Sequence, residues 1–95
     1  MSKKDAYVKM IKAQLDEWSA EIDVLQARAQ KAEADFQLEY QEQIDQARSL
    51  RESLQQRLSE LQEAGEQAWR EFKSNVESAR DELQSALNKA KENIQ

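Results

Sequence analysis

The sequence predicts an all-α protein: a long amphipathic helix forming an antiparallel coiled coil, as a continuous helix or as a helical hairpin with a break near Gly65. Three observations carry this. Apolar residues recur at steps of three or four from Ile11 to Ile94, the spacing of one helix face, with no strand-like alternation. The chain has one Gly and no Pro, so little in it interrupts a helix. Charged residues are 35% of the chain against 39% apolar, in the Ala-, Glu-, Gln-, Lys-, Leu- and Arg-rich usage of long helices rather than of layered globules.

The first element starts at a cap. Ser2 and Asp5 form an S-x-x-D pattern, in which the serine accepts backbone N–H groups and the aspartate suits the positive end of the helix dipole. From 3 to 63 one long helix is expected, its seam formed by Ile11, Leu15, Trp18, Ile22, Leu25, Phe36, Tyr40, Ile44, Leu50, Leu54, Leu58 and Leu61, with Ala29, Ala32 and Ala47 filling the intervening steps. The stripe passes through Gly65 and goes on as Trp69, Phe72, Val76, Leu83 and Leu87, so 66–93 either continues the first helix or forms a second one. Lys89 and Lys91 suit the negative end of the dipole there.

Gly65 is the one internal break to weigh. A turn and a helix interior are both open, and the lack of Asn, Asp, Pro or a second Gly between Glu63 and Gln67 favours running straight through. A hairpin here sets Leu61 against Trp69, Leu58 against Phe72 and Leu50 against Ala79, but leaves 8–32 bare. On either reading the seam asks for a partner, because most helical stability comes from packing a face. The expectation is therefore one coiled-coil domain over 1–95 that forms a homo-oligomer, a dimer first, with the seam as its contact. A second, shallower surface is outlined by Ala6, Ala13, Ala20, Ala27 and Ala34, seven residues apart and flanked by Met10, Val24 and Leu38.

Composition points away from chemistry. Without Cys or His the chain has no thiolate, no disulfide and no nitrogen or sulfur ligand for zinc, and no cofactor, metal or small-molecule substrate is expected. No phosphate loop, dinucleotide fingerprint, nucleophile elbow or H-E-x-x-H occurs. Acid pairs such as Asp16/Glu17 and Asp81/Glu82 fall on the polar side of the helix, which offers neither burial nor a concave pocket. Net charge is −5, and residues 32–46 carry Glu33, Asp35, Glu39, Glu42 and Asp45 with no base, so nucleic acid is not an expected partner. No run approaches the roughly 18 apolar residues of a membrane span and no secretory signal is legible, which sets the expected location as cytoplasmic.

The aromatics Trp18, Phe36, Tyr40, Trp69 and Phe72 all lie on the seam and read first as core anchors. The alternative is insertion into a lipid interface or an apolar client, since residues 66–94 have the amphipathic form that does so.

Across nearly the whole chain the sequence resembles the small bacterial coiled-coil proteins of the stress-response type. The resemblance rests on Asp5-Ala6-Tyr7, on Lys12 to Trp18 with Glu21-Ile22-Asp23, and on Ala64-Gly65-Glu66 followed by Ala68-Trp69, Phe72-Lys73 and Val76-Glu77. Phe36 and the Gln-rich middle depart from it. It implies a bacterial cytoplasmic setting and a stress association, and it brings no catalytic residues. The expected function is accordingly non-enzymatic: self-association in a structural or stress-protective role, with binding of lipid surfaces or apolar clients as the alternative.

Overall fold

The computed structural model describes residues 2–94. The chain is all-α, with α1 over Lys3–Gln30, α2 over Ala34–Glu63 and α3 over Trp69–Asn93. A 95-residue helix would be a rod of roughly 140 Å; the molecule measures 51 × 19 × 17 Å. The three helices lie side by side, up, down and up, with α2 packed on both neighbours and α1 touching α3 least.

α1 starts as the cap pattern predicts. Ser2 is extended, and its Oγ accepts the Asp5 N–H at 3.1 Å. The helix expected to run from 3 to 63 is divided, however, by a turn at 31–33. Nothing local forbids helix there, since Lys, Ala and Glu are strong helix formers. Tertiary packing decides it: folding back lets the α1 stripe be covered by α2 and α3, so 8–32 is not bare. The turn also serves the exposed helix ends. The Lys31 amide reaches the carbonyls of Arg28 and Ala29, and the Gln37 side-chain amide donates to the carbonyls of Gln30 (3.3 Å) and Ala32 (2.9 Å). A residue of α2 thus satisfies the end of α1.

The second turn falls at 64–68, so the chain does break near Gly65 rather than running straight through. Ala64 is extended (φ −69°, ψ 144°), and the Gly65 carbonyl accepts the amides of Ala68 and Trp69 at 2.9 and 3.1 Å, starting α3. Gly65 does not use a left-handed conformation, and no atom lies within 4 Å of where its Cβ would be. The last turn of α2 has no base of its own. Lys4, at the start of α1, supplies one: its Nζ donates to the carbonyls of Gln62 (2.6 Å) and Ala64 (2.5 Å). One ammonium thereby satisfies two orphan carbonyls and opposes the dipole.

The core is a single apolar cluster drawn from all three helices, and among the described residues no polar or charged residue is buried as a whole. No helix among them is long and apolar enough to cross a membrane.

Candidate functional site

The structure gathers most of the predicted seam into the interior of one chain. Ile11, Leu15, Trp18, Ile22 and Leu25 of α1 are buried with Ile44, Leu54, Leu58 and Leu61 of α2 and Trp69, Val76, Leu83 and Leu87 of α3. Tyr40, Leu50 and Phe72 pack partly exposed against this cluster. Val8, outside the seam as read from spacing, is buried too. A seam expected to lie between copies is therefore covered within the chain.

Phe36 is the exception. It keeps its place on the stripe, yet it is 46% exposed. Its ring stacks on Tyr40 with centroids 5.9 Å apart, near the turn that joins α1 to α2. Two reciprocal contacts fix how these helices run past each other there. The Gln26 and Gln41 side chains exchange hydrogen bonds of 3.0 and 3.3 Å, and Gln37 reaches the Gln30 carbonyl. In that register Ala29 lies across from Leu38, and Lys31 from Phe36.

Leu38 is 72% exposed and Val24 51%, so three of the four exposed large apolar residues sit on this half of the α1–α2 hairpin; Met10, at 45%, lies elsewhere on α1. Ala20 and Val24 line an open groove of about 530 Å³ with Glu17, Glu21, Arg28 and Lys91 on its rim. The alanines of the second surface, Ala6, Ala13, Ala20, Ala27 and Ala34, are all exposed. Because the turn intervenes, Ala34 and Leu38 belong to α2 and the other alanines to α1.

The α1–α3 contact differs in character from the apolar core. At one end the Tyr7 ring lies 6.0 Å from that of Trp69, with the Lys73 ammonium 5.3 Å over Tyr7. At the other, Lys91 and Glu21 form an ion pair of 2.8 Å. Between and around these, the Tyr7 hydroxyl, Gln14 Oε1 and Glu21 Oε2 are buried without a hydrogen-bond partner among the described residues. Such groups cost free energy rather than supply it. Burial raises the Tyr7 pKa above its ordinary value of 10.0, and the nearby Glu77 adds to the rise.

The acidic pairs are on the surface: Asp16, Glu17, Asp23, Asp81 and Glu82 are exposed, and among the described residues no three His, Cys, Asp or Glu side chains are grouped to hold a metal. An open groove of about 560 Å³ between α2 and α3 is lined by Gln43, Gln46 and Leu50 on one side and by Asp81, Glu82, Ser85, Ala86 and Lys89 on the other. The feature that the three helices share is an apolar face covered within the bundle.

Spacing found the seam but not the turn at 31–33, the Gln37 cap or the Lys4 clamp. One pattern did mark that turn. Arg28 and Lys31 precede Glu33 and Asp35, and bases followed by acids are what the end of one helix and the start of the next prefer. Compared with family models, curated proteins and solved structures, the chain finds no match.

Proposed function

We propose that this is a non-enzymatic interaction protein that self-associates, as a dimer first, in a structural or protective role. The observation that supports the reading is apolar surface on an otherwise well-covered bundle: Phe36, Leu38 and Val24 are each exposed, all on the half of the α1–α2 hairpin nearest the 31–33 turn. Exposed apolar area of this kind is what a partner would cover. The stress association and the bacterial cytoplasmic setting come from the family resemblance and belong to the same proposal.

Sedimentation velocity over a wide concentration range tests it. The expected result is a reversible dimer that Phe36→Lys with Leu38→Lys weakens at least tenfold. A chain that stays monomeric at millimolar concentration would end the proposal.

A second reading is supported by the α1–α3 contact, which rests on two aromatic rings, an ion pair and several unpartnered polar atoms. Parting there would uncover only the part of the α3 face that α1 covers, on the most strongly amphipathic of the three helices, for a lipid surface or an apolar client. Co-sedimentation with zwitterionic phospholipid vesicles at low salt is the expected outcome of that reading, and protein left in the supernatant would count against it.

A further inference from the structure

We propose that the turn at 31–33 is a hinge through which two copies of this chain exchange α1. The inference rests on the self-association proposed above and gives it a form. Each α1 swings out, residues 3–63 become one helix, and α1 of each copy packs into the place that the other copy's α1 has left.

The hydrophobic phase is the first ground. Ala29, Ala32, Phe36 and Tyr40 follow one another at steps of three and four, so the stripe crosses the turn without a reset. A straightened helix therefore presents one unbroken face, with α1 and α2 still in phase. The second ground is the turn's own chemistry. Gln30-Lys31-Ala32-Glu33-Ala34-Asp35 contains no Gly, Pro or Asn, and Ala, Gln, Lys and Glu are strong helix formers. Lys31 is already helical (φ −91°, ψ −6°) and Glu33 is extended (φ −61°, ψ 148°), with no left-handed residue to undo. α2 also begins without a side-chain cap, so straightening gives its first amides the helical partners that the turn denies them.

The register supplies the third ground. The Gln26–Gln41 and Gln37–Gln30 contacts can be made by the same atoms between two copies. Every α1–α2 and α1–α3 contact then recurs, and the hinge alone differs, which is the condition under which exchange is cheap.

Ala34→Pro separates the two forms. Residue 34 is the first of α2, where proline is favoured and its missing N–H costs nothing. Glu33 already has the extended backbone that a residue before proline needs. In the straight helix the same proline is an interior breaker, costing on the order of 100-fold at each of two hinges. Ala34→Pro should therefore keep the helicity and melting of the closed bundle while weakening dimerisation by on the order of 10⁴-fold. In parallel, a Gln26→Cys chain is refolded together with a Gln41→Cys chain and oxidised. A mixed disulfide dimer is expected, and none when both chains also carry Ala34→Pro. An Ala34→Pro chain that dimerises as tightly as wild type overturns the hinge. A dimer without the mixed disulfide keeps self-association and overturns exchange, and monomers at every concentration overturn both.

Discussion

Tyr7 shows how a single side chain can contribute to a contact and burden it. Its ring packs near Trp69 and under the Lys73 ammonium, but its hydroxyl is buried with no hydrogen-bond partner among the described residues. Removing that oxygen while keeping the ring should be neutral or stabilising, because an unsatisfied hydroxyl has lost its water without gaining a partner. The pH dependence follows from the sign of the shift. The folded pKa lies above the ordinary value of 10.0, chiefly through burial and then through Glu77, so the folded state holds the proton more tightly than the unfolded chain. That contribution is fully present below pH 10 and is lost as pH rises through the folded pKa. Tyr7→Phe should match or exceed wild type in urea unfolding at pH 7, and should lose less stability than wild type between pH 9 and 11. Parallel alkaline profiles for the two proteins would show that this phenol is not the group responsible.

At the scale of the element, both turns are built from residues that also suit helix, and this separates what spacing reveals from what it hides. Gly65 illustrates it. The chain breaks there, yet the glycine uses no conformation that other residues avoid and has open space around its Cα. Gly65→Ala should therefore stabilise the bundle by about 0.4–1 kcal/mol, chiefly by restricting the unfolded chain. For a chain of this size that is a rise in Tm of about 2–6 °C. A fall in Tm would mean that the turn needs glycine after all. The amphipathic face of each helix was legible because periodicity is local: Ile11, Trp18, Leu54, Leu61, Trp69 and Leu83 were placed on the seam by spacing and are buried. The turns were not legible in the same way. What closes them is held by side chains elsewhere: Gln37 capping the end of the preceding helix, and Lys4 clamping carbonyls 58 and 60 residues away. No three- or four-residue spacing encodes such contacts. Phe36 likewise obeys the period and still stands half exposed, since the period gives a side chain its direction and tertiary packing decides what stands opposite.

For the whole molecule, the same continuity of phase leaves two ways to cover one stripe. Closed, the chain is a rod of 51 Å with its core satisfied within itself. Exchanged, its longest helix would span residues 3–63, about 90 Å, around the same core made between copies. The two forms differ in molecularity and little in buried chemistry, so concentration is the variable that separates them. If the folded state is linked to dimerisation, the melting temperature must rise with protein concentration, because only the folded form associates. A hundredfold increase is worth about 2.7 kcal/mol per dimer, or several degrees for a chain of this length. Wild type should show that rise, and Ala34→Pro should melt at one temperature throughout. Tryptophan emission supplies the control. Trp18 on α1 and Trp69 on α3 are buried in the closed bundle and meet the same neighbours after exchange, so their spectrum should stay constant while Tm moves. A spectrum that shifts red on dilution would indicate that the rings reach water as the dimer parts, and so that the monomer is an opened chain rather than the closed bundle.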